Sequence, residues 1–290
     1  MTIKQIDQII EEGYAFKVLA ETFGEIALLK IKKIRAGVER NRIFFTEIVN
    51  VYKKVKKEAT KRQIKLDKPK DTASILLSSN YRFYGALTNK LLEYFIDSTA
   101  KFKTDRIIIG KSATDQLKFA HYDAAYSPIL LKADMPTSAE LLSLMESVKQ
   151  YKKIFVFYPE LKSLLVQNPT YIDITQSESA AELANQKEDE DHKGFFDNGR
   201  DFLFEPEIKK MLEFFDSQLT TLLLEQVFLE AELARTASRL ISMDQAQVDA
   251  DDYIKQKKKI RGQIIKSENN NKTLDQLASL AALKRARYIK

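Results

Sequence analysis

The chain has 290 residues, of which 44% are hydrophobic and 30% are charged, and its formal net charge is +6. This composition is typical of a folded protein and unlike that of a disordered one. The absence of cysteine excludes disulfides and thiolate chemistry, and with only two histidines we expect no histidine-built metal site. The polar start is unlike a signal peptide and no apolar run approaches the roughly 20 residues of a membrane span, so the sequence favours a cytoplasmic protein.

Positive charge is concentrated at the two ends of the sequence. Residues 1–70 hold 17 lysines and arginines against 9 acidic residues, and residues 253–290 hold 11 against 2. The centre is therefore acidic. Such an asymmetry is typical of a surface that binds a partner, which could be nucleic acid, a membrane or an acidic protein.

The first predicted element is a long helix over residues 1–68, which contain no proline. Proline costs about 3 kcal/mol inside a helix, so its absence favours an uninterrupted helix. Apolar residues such as Leu19, Phe23 and Ile26 recur at spacings of three and four, as on the buried face of an amphipathic helix. Gly13, Gly24 and Gly37 are unexpected there, because each costs about 1 kcal/mol relative to alanine.

The centre, residues 69–200, holds all but one of the six prolines and predicts a small α/β domain. Alternation of strands with helices is typical of a mostly parallel, Rossmann-like sheet. Thr137 or Ser138, followed by Glu140, could cap the second helix. The three predicted strands are "ASILLSS" (73–79), "RIIIG" (106–110) and "KIFVFY" (153–158), and the two predicted helices are 89–102 and 137–151.

Catalytic motifs are nearly absent. "IGKS" (109–112) is similar to the end of a phosphate-binding loop, but that loop needs a glycine where Asp105 stands, so we interpret the segment as a strand end and a turn. The carboxylates at 188–191 lie in an acidic, polar stretch that predicts a loop, and His121 has no evident nucleophile beside it. We therefore predict no catalytic, cofactor-binding or metal-binding residue.

The last predicted element is a helix within residues 201–290, beginning near "FEPEIKK" (204–210), where Pro206 suits a first helical turn. Residues 234–256 are rich in alanine and serine and poor in large aliphatic side chains. Small residues let two helices approach closely, so this segment predicts a thin helix pair. Together the three segments predict a mixed α/β fold, in which a long antiparallel coiled coil of terminal helices carries the inserted domain.

Nucleic-acid binding is the alternative from another class, because residues 51–65 and 253–266 could neutralise phosphates. Neither segment carries the interleaved aromatic residues on which single strands stack. We therefore expect no nucleic-acid partner.

Several segments resemble the γ subunit of F-type rotary ATPases. "FLFEPEIKKMLEFFDSQL" (202–219) resembles that family's entry into its last helix, and "IALLKIKKIRAGVERNRIFFTEI" (26–48) resembles its first helix. "SSNYRFYGALTNKL" (78–91) resembles a γ turn and keeps Ser79, Gly85 and Leu87. The next stretch after the entry, "ASRLISMDQAQVDADDYIK" (237–255), coincides with the family at Ala237, Arg239, Met243, Ala246, Ala250 and Ile254.

The resemblance implies a central-stalk rotor that is not itself catalytic. Its paired helices would turn inside a ring of three α- and three β-type subunits, and the α/β domain would form a foot. The partners implied at the foot are an ε-type subunit and a membrane ring or another machine, which gives a peripheral location on the cytoplasmic side of the membrane. The residues implied are Lys30, Lys33, Arg239 and Met243 at the ring, and Ser79, Gly85 and Leu87 at the foot.

Among the departures from the γ pattern, two concern segments that are expected to contact partners. "NYRFYGA" (80–86) has bulky aromatic residues where the family has small ones. Residues 266–283 match only weakly a family segment that is associated with ring contacts. These departures leave two alternatives open. The chain could serve an ordinary proton-coupled ATP synthase, or an F1-like ATPase motor without a proton channel, for example in motility.

Overall fold

The computed structural model describes residues 2–61, 70–175 and 207–288, except for the side chains of residues 38–47 and 282–288. It divides into two compact units. The smaller unit combines Met1–Ile26 with Leu240–Lys290, and the larger one is Ala27–Arg239. Helix α1 is Ile3–Lys61 and helix α5 is Ile208–Tyr288. Each of these two helices contributes to both units.

In the smaller unit the two helices pair antiparallel. Asp7 accepts a hydrogen bond from the guanidinium of Arg261, and the Lys17 ammonium lies 2.8 Å from the Asp251 carboxylate. A residue further along α1 therefore pairs with an earlier residue of α5, so the two helices run in opposite directions. Ile6 and Ile10 pack with Ile254 to form the apolar seam between them.

Two of the unexpected α1 glycines face α5. A Cβ atom on Gly13 would lie 3.0 Å from Ile254 Cγ1, so the helices approach closely there and the position favours glycine. A Cβ on Gly24 would meet Met243 Cβ at 3.9 Å, which is an ordinary contact. Gly37 belongs to the larger unit, and nothing lies within 4 Å of where its Cβ would be. The structure therefore explains Gly13 and gives no reason for the other two.

In the larger unit the same helices cover one face of a five-stranded sheet. The apolar core there combines Tyr52 and Val55 of α1, Leu223 and Val227 of α5, and Ile75 of the sheet, all nearly inaccessible to solvent. Full burial of one such side chain stabilises the fold by about 1.5–3 kcal/mol. The opposite face of the sheet packs on Phe95, whose ring meets Phe157 edge to face at a centroid distance of 5.1 Å.

The sheet is mostly parallel, with strand order β3-β2-β1-β4-β5, and only β5 runs antiparallel to its neighbour. Strand β1 is central and is buried on both faces over residues 73–77, where the apolar run of Ile75, Leu76 and Leu77 suits burial on both sides. The strands are β1 Lys70–Leu77, β2 Asp105–Ile109, β3 Ser127–Ile129, β4 Tyr151–Leu161 and β5 Gln167–Asp173.

Three short helices connect the strands. They are α2 Leu87–Thr99, α3 Lys111–Phe119 and α4 Ser138–Val148. Thr137 caps α4: its hydroxyl accepts the Glu140 amide, and the Glu140 carboxylate accepts the Thr137 amide in return. The capping box proposed from the sequence is thereby confirmed, with Thr137 rather than Ser138 as the cap.

The predicted fold class is confirmed: a mixed α/β fold with a parallel sheet and a long last helix packed on the first. The three predicted strands and two predicted helices all occur, with shifted ends. The interpretation of residues 109–112 as a strand end and a turn was wrong in part, because helix α3 begins directly at Lys111. Strands β3 and β5 were not predicted.

Two sequence predictions lie outside the described residues. These are the acidic loop that contains residues 188–191 and the placement of Pro206. Among the described helices, none contains an apolar stretch long and uncharged enough to cross a bilayer.

A polar junction between the last helix and the sheet

The segment of α5 from Ala231 to Ser238 is buried at every residue. Ala231, Ala234 and Ala237 leave no surface accessible to solvent. Their small side chains allow α5 to lie close to its neighbours, which agrees with the expected use of the alanine-rich segment. Two charged residues, Glu232 and Arg235, are buried in the same segment.

Glu232 forms the centre of a buried ion cluster. Its carboxylate accepts hydrogen bonds from the Lys30 ammonium of α1 and, at 3.0 and 3.2 Å, from two guanidinium nitrogens of Arg235. The side chains of Glu232 and Arg235 are only 1% and 3% exposed. Burial alone would raise the pKa of Glu232, but the nearby charges of Arg235 and Lys30 outweigh burial and hold that pKa below its ordinary value.

Arg235 also connects this cluster to the sheet. Its remaining terminal nitrogen points to the carbonyl oxygens of Leu77 and Ser78, at 3.4 Å each, where β1 ends. A guanidinium has five donors in a rigid plane, so one side chain can hold a carboxylate and two carbonyls at once. Helix α1, helix α5 and the central strand are thus joined through two adjacent side chains, Glu232 and Arg235.

One turn later, α5 holds the loop that follows β1. The Ser238 hydroxyl donates to the Tyr84 carbonyl at 2.8 Å, and Arg239 donates to the Arg82 carbonyl at 3.2 Å. The Arg239 guanidinium lies 4.4 Å from the centroid of the Tyr84 ring, which is a cation–π geometry. We call these contacts the polar junction: the cluster of Lys30, Glu232 and Arg235, together with the contacts of Arg235, Ser238 and Arg239 with residues 77–84.

A buried carboxylate fixes the loop from its other side. The Tyr84 hydroxyl donates to Asp134 at 2.7 Å, and the Asn80 amide donates to the second carboxylate oxygen at 2.6 Å. Burial first, and then the negative charge of Asp134, raise the pKa of the Tyr84 hydroxyl above its ordinary value. Tyr84 therefore stays neutral and acts as a donor.

The tip of this loop is strained and exposed. Phe83 has φ 71°, and a left-handed conformation is unusual for a bulky residue. Gly85 has φ 56°, which glycine adopts without strain. Tyr81, Arg82 and Phe83 all point largely into solvent, with 59% of Phe83 exposed. A loop held firmly at its base thus presents two aromatic rings and one guanidinium outward.

The amides at the start of α3 already have partners. Asn80 Oδ1 accepts the Lys111 amide at 3.0 Å, the Ser79 carbonyl accepts the Ser112 amide at 2.8 Å, and Ser78 Oγ accepts the Ala113 amide at 3.2 Å. In a phosphate-binding loop such amides would point at phosphate oxygens. Here they fasten α3 to the end of β1.

The residues predicted at the ring occupy different environments. Lys30 and Arg239 belong to the polar junction, whereas Lys33 is exposed on α1. Met243 lies in the smaller unit beside Gly24 and is only 7% exposed. Two of the four predicted ring-contact residues thus lie in the polar junction. The role of all four in contacting a ring stays a prediction.

The residues predicted at the foot lie on one loop and the helix after it. Ser79 is buried and donates its hydroxyl to the Tyr81 carbonyl at 2.9 Å. Gly85 is exposed at the loop tip, and Leu87 is buried as the first residue of α2. Only Gly85 is freely accessible from outside, and the foot role of all three stays a prediction.

The reasoning from sequence missed Glu232 and Arg235, which carry the junction. A signal was present: "AELARTAS" (231–238) places a carboxylate and a guanidinium three residues apart within a segment of small residues. That spacing puts both side chains on one helix face. Asp134 had no comparable signal, because its partners Asn80 and Tyr84 are distant in sequence.

Comparison with known protein families gives a match that extends over nearly the whole chain. A family model described as ATP synthase, the F1 γ family, matches residues 2–261. No curated protein sequence matches the chain.

Three solved structures share the fold at low sequence identity. A chain of the Euglena gracilis mitochondrial ATP synthase (OSCP/F1/c-ring) has a TM-score of 0.65 and 16% identity, covering 99% of this chain and 96% of its own. A chain of the rotor of the same synthase has a TM-score of 0.59 and 17% identity, with coverages of 92% and 98%. A chain of the Tetrahymena thermophila mitochondrial central stalk and c-ring has a TM-score of 0.56 and 14% identity, with coverages of 79% and 99%.

Proposed function

The chain belongs to the F1 γ family of the ATP synthases, as a γ-like central-stalk subunit, and on that premise we propose that it is the rotor on which a ring of three α- and three β-type subunits acts. Helices α1 and α5 form the shaft, and the α/β domain forms the foot. ATP synthesis or hydrolysis takes place in the ring and is coupled to rotation of the shaft. The segments proposed for the three parts are 1–68, 69–200 and 201–290.

The polar junction is the observation that supports a rotor most directly. A rotor must pass torque from its helices to its foot without slipping at the joint. Arg235 holds Glu232 of the same helix and the carbonyls of Leu77 and Ser78 at the end of the central strand. Buried, charge-assisted hydrogen bonds of this kind are directional, so they resist relative rotation as well as separation.

We propose that the chain has no catalytic site of its own. In "GKS" (110–112), the segment most similar to a nucleotide-binding motif, the Gly110 amide donates to the Ile129 carbonyl, and the Lys111 and Ser112 amides donate to Asn80 and Ser79. A phosphate would have to displace these contacts and separate α3 from β1.

Solvent exposure separates the predicted ring residues that could contact the ring directly from those that are less exposed. Lys33 is exposed and is our candidate for direct contact, since a lysine can attract acidic loops at changing distances without a fixed fit. Lys30, Arg239 and Met243 position the shaft helices from inside. At the foot, Gly85 and the adjacent Tyr81 and Phe83 are the candidates for direct contact, while Ser79 and Leu87 shape the loop.

The partners we propose are α- and β-type subunits at the shaft, and an ε-type subunit with a membrane ring at the foot. Two of the similar structures are described as complexes that include a c-ring. Such an assembly would make the chain a peripheral part of a membrane-bound machine, on the cytoplasmic side in a bacterial cell.

Affinity purification of the tagged chain from its native cell tests this proposal. We expect α- and β-type subunits in the eluate, ATPase activity in the complex, and none in the chain alone. Recovery of channel and ring subunits as well would identify a synthase, whereas their absence would identify an F1-like motor attached to another machine. An eluate without either ATPase subunit would contradict the rotor proposal.

A further inference from the structure

The amino ends of the parallel strands β1 to β4 lie together at one edge of the sheet. Three connecting segments reach that edge, at 100–104 before β2, 120–126 before β3 and 149–150 before β4. We call this surface, with the strand and helix residues that adjoin those segments, the amino edge. It lies opposite the polar junction, which is at the carboxyl end of β1.

Exposed lysines cluster on the amino edge. Within the described part of the chain, only Lys152 of the group has an ion pair, at 3.0 Å from Asp71. Asp105 accepts a hydrogen bond from the Tyr151 hydroxyl, while Asp97, Asp123 and Glu146 are exposed carboxylates nearby. The exposed lysines of the edge are Lys101, Lys103, Lys118, Lys149, Lys152 and Lys153.

Two phenylalanines stand among these lysines. Phe119, the last residue of α3, is 90% exposed and directly follows Lys118. Phe102 is 39% exposed between Lys101 and Lys103, and its ring packs edge to face on Phe155 at 5.8 Å. Lysines after a helix also complement its terminal carbonyls, but that role gives no reason for an almost fully exposed aromatic ring.

We propose that the amino edge is a membrane-contacting surface that binds the headgroups of anionic phospholipids. Lysines near an anionic bilayer are attracted to its surface potential, and aromatic side chains partition to the headgroup level. The lysines and rings stand on separate turns, so they suit a fluid surface that needs no fixed complementary shape. This inference goes beyond the proposed function, because the contact is with lipid, and it is tested without any ATPase subunit.

Flotation of the full-length chain with vesicles tests the proposal. We expect it to float with vesicles containing phosphatidylglycerol and to stay behind with phosphatidylcholine alone. The variant K101E/K103E/K149E/K153E should lower the vesicle partition coefficient more than a hundredfold, since each of the four lysines contributes about fivefold. Phe119→Ala should weaken binding about threefold or more at high salt, where attraction between charges is screened.

Matched variants separate this surface from general attraction of a basic chain to anionic vesicles. K32E/K90E/K266E/K272E carries the same charge change at exposed positions elsewhere, and Leu165→Ala removes an exposed apolar side chain from the β4–β5 hairpin. Both should bind as the original chain does. Equal loss in the matched charge variant, or no flotation of the original chain, would overturn the proposal. A different outcome is that the variant K101E/K103E/K149E/K153E binds vesicles undiminished and recovers less of the ring subunits from cells. That result would overturn the lipid proposal in favour of a protein partner.

Discussion

Glu232 is a charged residue that the fold buries almost completely, and its neighbours explain how that is tolerated. A carboxylate withdrawn from water is unstable unless charges and donors replace its hydration. Lys30 and Arg235 supply both, from α1 and from one turn along α5. The cluster therefore depends on both partners of Glu232, and removing one of them leaves a buried charge with incomplete compensation.

Replacement of Arg235 by methionine should lower the free energy of unfolding by about 3 kcal/mol, because Glu232 then stays buried with only Lys30 as its partner. Chemical denaturation of the purified chain, followed by circular dichroism, measures this change. The double variant E232M/R235M removes the charge together with its partner, and it should lose less stability than R235M alone.

Arg82→Met is the matched control for Arg235→Met. Its side chain is exposed and only its carbonyl takes part in the junction, so the change should be within about 0.5 kcal/mol. Similar losses in both variants would show that the charge cluster does not hold the fold.

The lowered pKa of Glu232 predicts how its contribution changes with pH. A carboxyl whose native pKa is depressed stabilises the fold fully above its unfolded value, near 4.5, and loses that contribution as the pH falls through the native pKa. The stability difference between the original chain and Glu232→Gln should therefore be constant above pH 5 and shrink in more acidic solution. Midpoints of urea unfolding, measured for both proteins from pH 7 to pH 3, give this stability difference. A difference that grows on acidification would contradict a lowered pKa of Glu232.

At the scale of elements, the start of α3 depends on a close backbone approach. Gly110 has φ 108°, and a Cβ there would lie 2.8 Å from the carbonyl carbon of Ser78 and 2.9 Å from the Ser79 nitrogen. Both atoms belong to the backbone that leaves β1, so neither can move without disturbing the loop. Glycine at this position lets α3 dock against β1.

Gly110→Ala should therefore destabilise the chain by about 2 kcal/mol or more, since it adds a clash to a backbone conformation that disfavours side chains. Gly37→Ala is the helical counterpart with open space around it, and it should stabilise by about 0.5–1 kcal/mol. Thermal unfolding of the two variants should shift in opposite directions. A shift of the same sign in both would argue against the close approach.

The larger elements were predictable because their signals extend over many residues. The proline-free ends predicted α1 and α5, and the segment "ASILLSS" predicted strand β1. The apolar spacing also predicted a helix over α1 but named the wrong face as buried, because Leu19, Phe23 and Ile26 are 56%, 37% and 49% exposed. Helix α3 was missed because "KSATDQLKF" is short and buries only Ala113, Thr114 and Leu117. Strand β3 has three residues, and β5 contains Pro169, which sequence patterns count against a strand.

The candidate site was less predictable than the fold. The resemblance to the γ family implied Lys30 and Arg239, but their partners come from distant segments: Glu232 lies 202 residues from Lys30. Tertiary pairing of this kind leaves no periodic pattern in the chain. The exposure of Lys33 and the burial of Met243 also depend on how the helices pair, which spacing alone did not settle.

At the scale of the whole molecule, Lys33 is expected to contribute to assembly. Lys33→Glu should repel acidic loops of the ring and weaken binding of the chain to α- and β-type subunits, by about tenfold, chiefly through slower association at low salt. Reconstitution from purified subunits with surface plasmon resonance measures the rate. Lys90→Glu, an exposed lysine of α2, is the control and should leave the rate unchanged.

Direct observation of rotation tests the central claim, that this chain turns inside a catalytic ring. Because the chain has no cysteine, Ser143→Cys on the exposed face of α4 gives a single site for attaching a probe to the foot. With the ring immobilised and ATP supplied, the probe should turn in one direction and pause with the threefold symmetry of the ring. Sustained ATP hydrolysis with a stationary or randomly oriented probe would contradict the account.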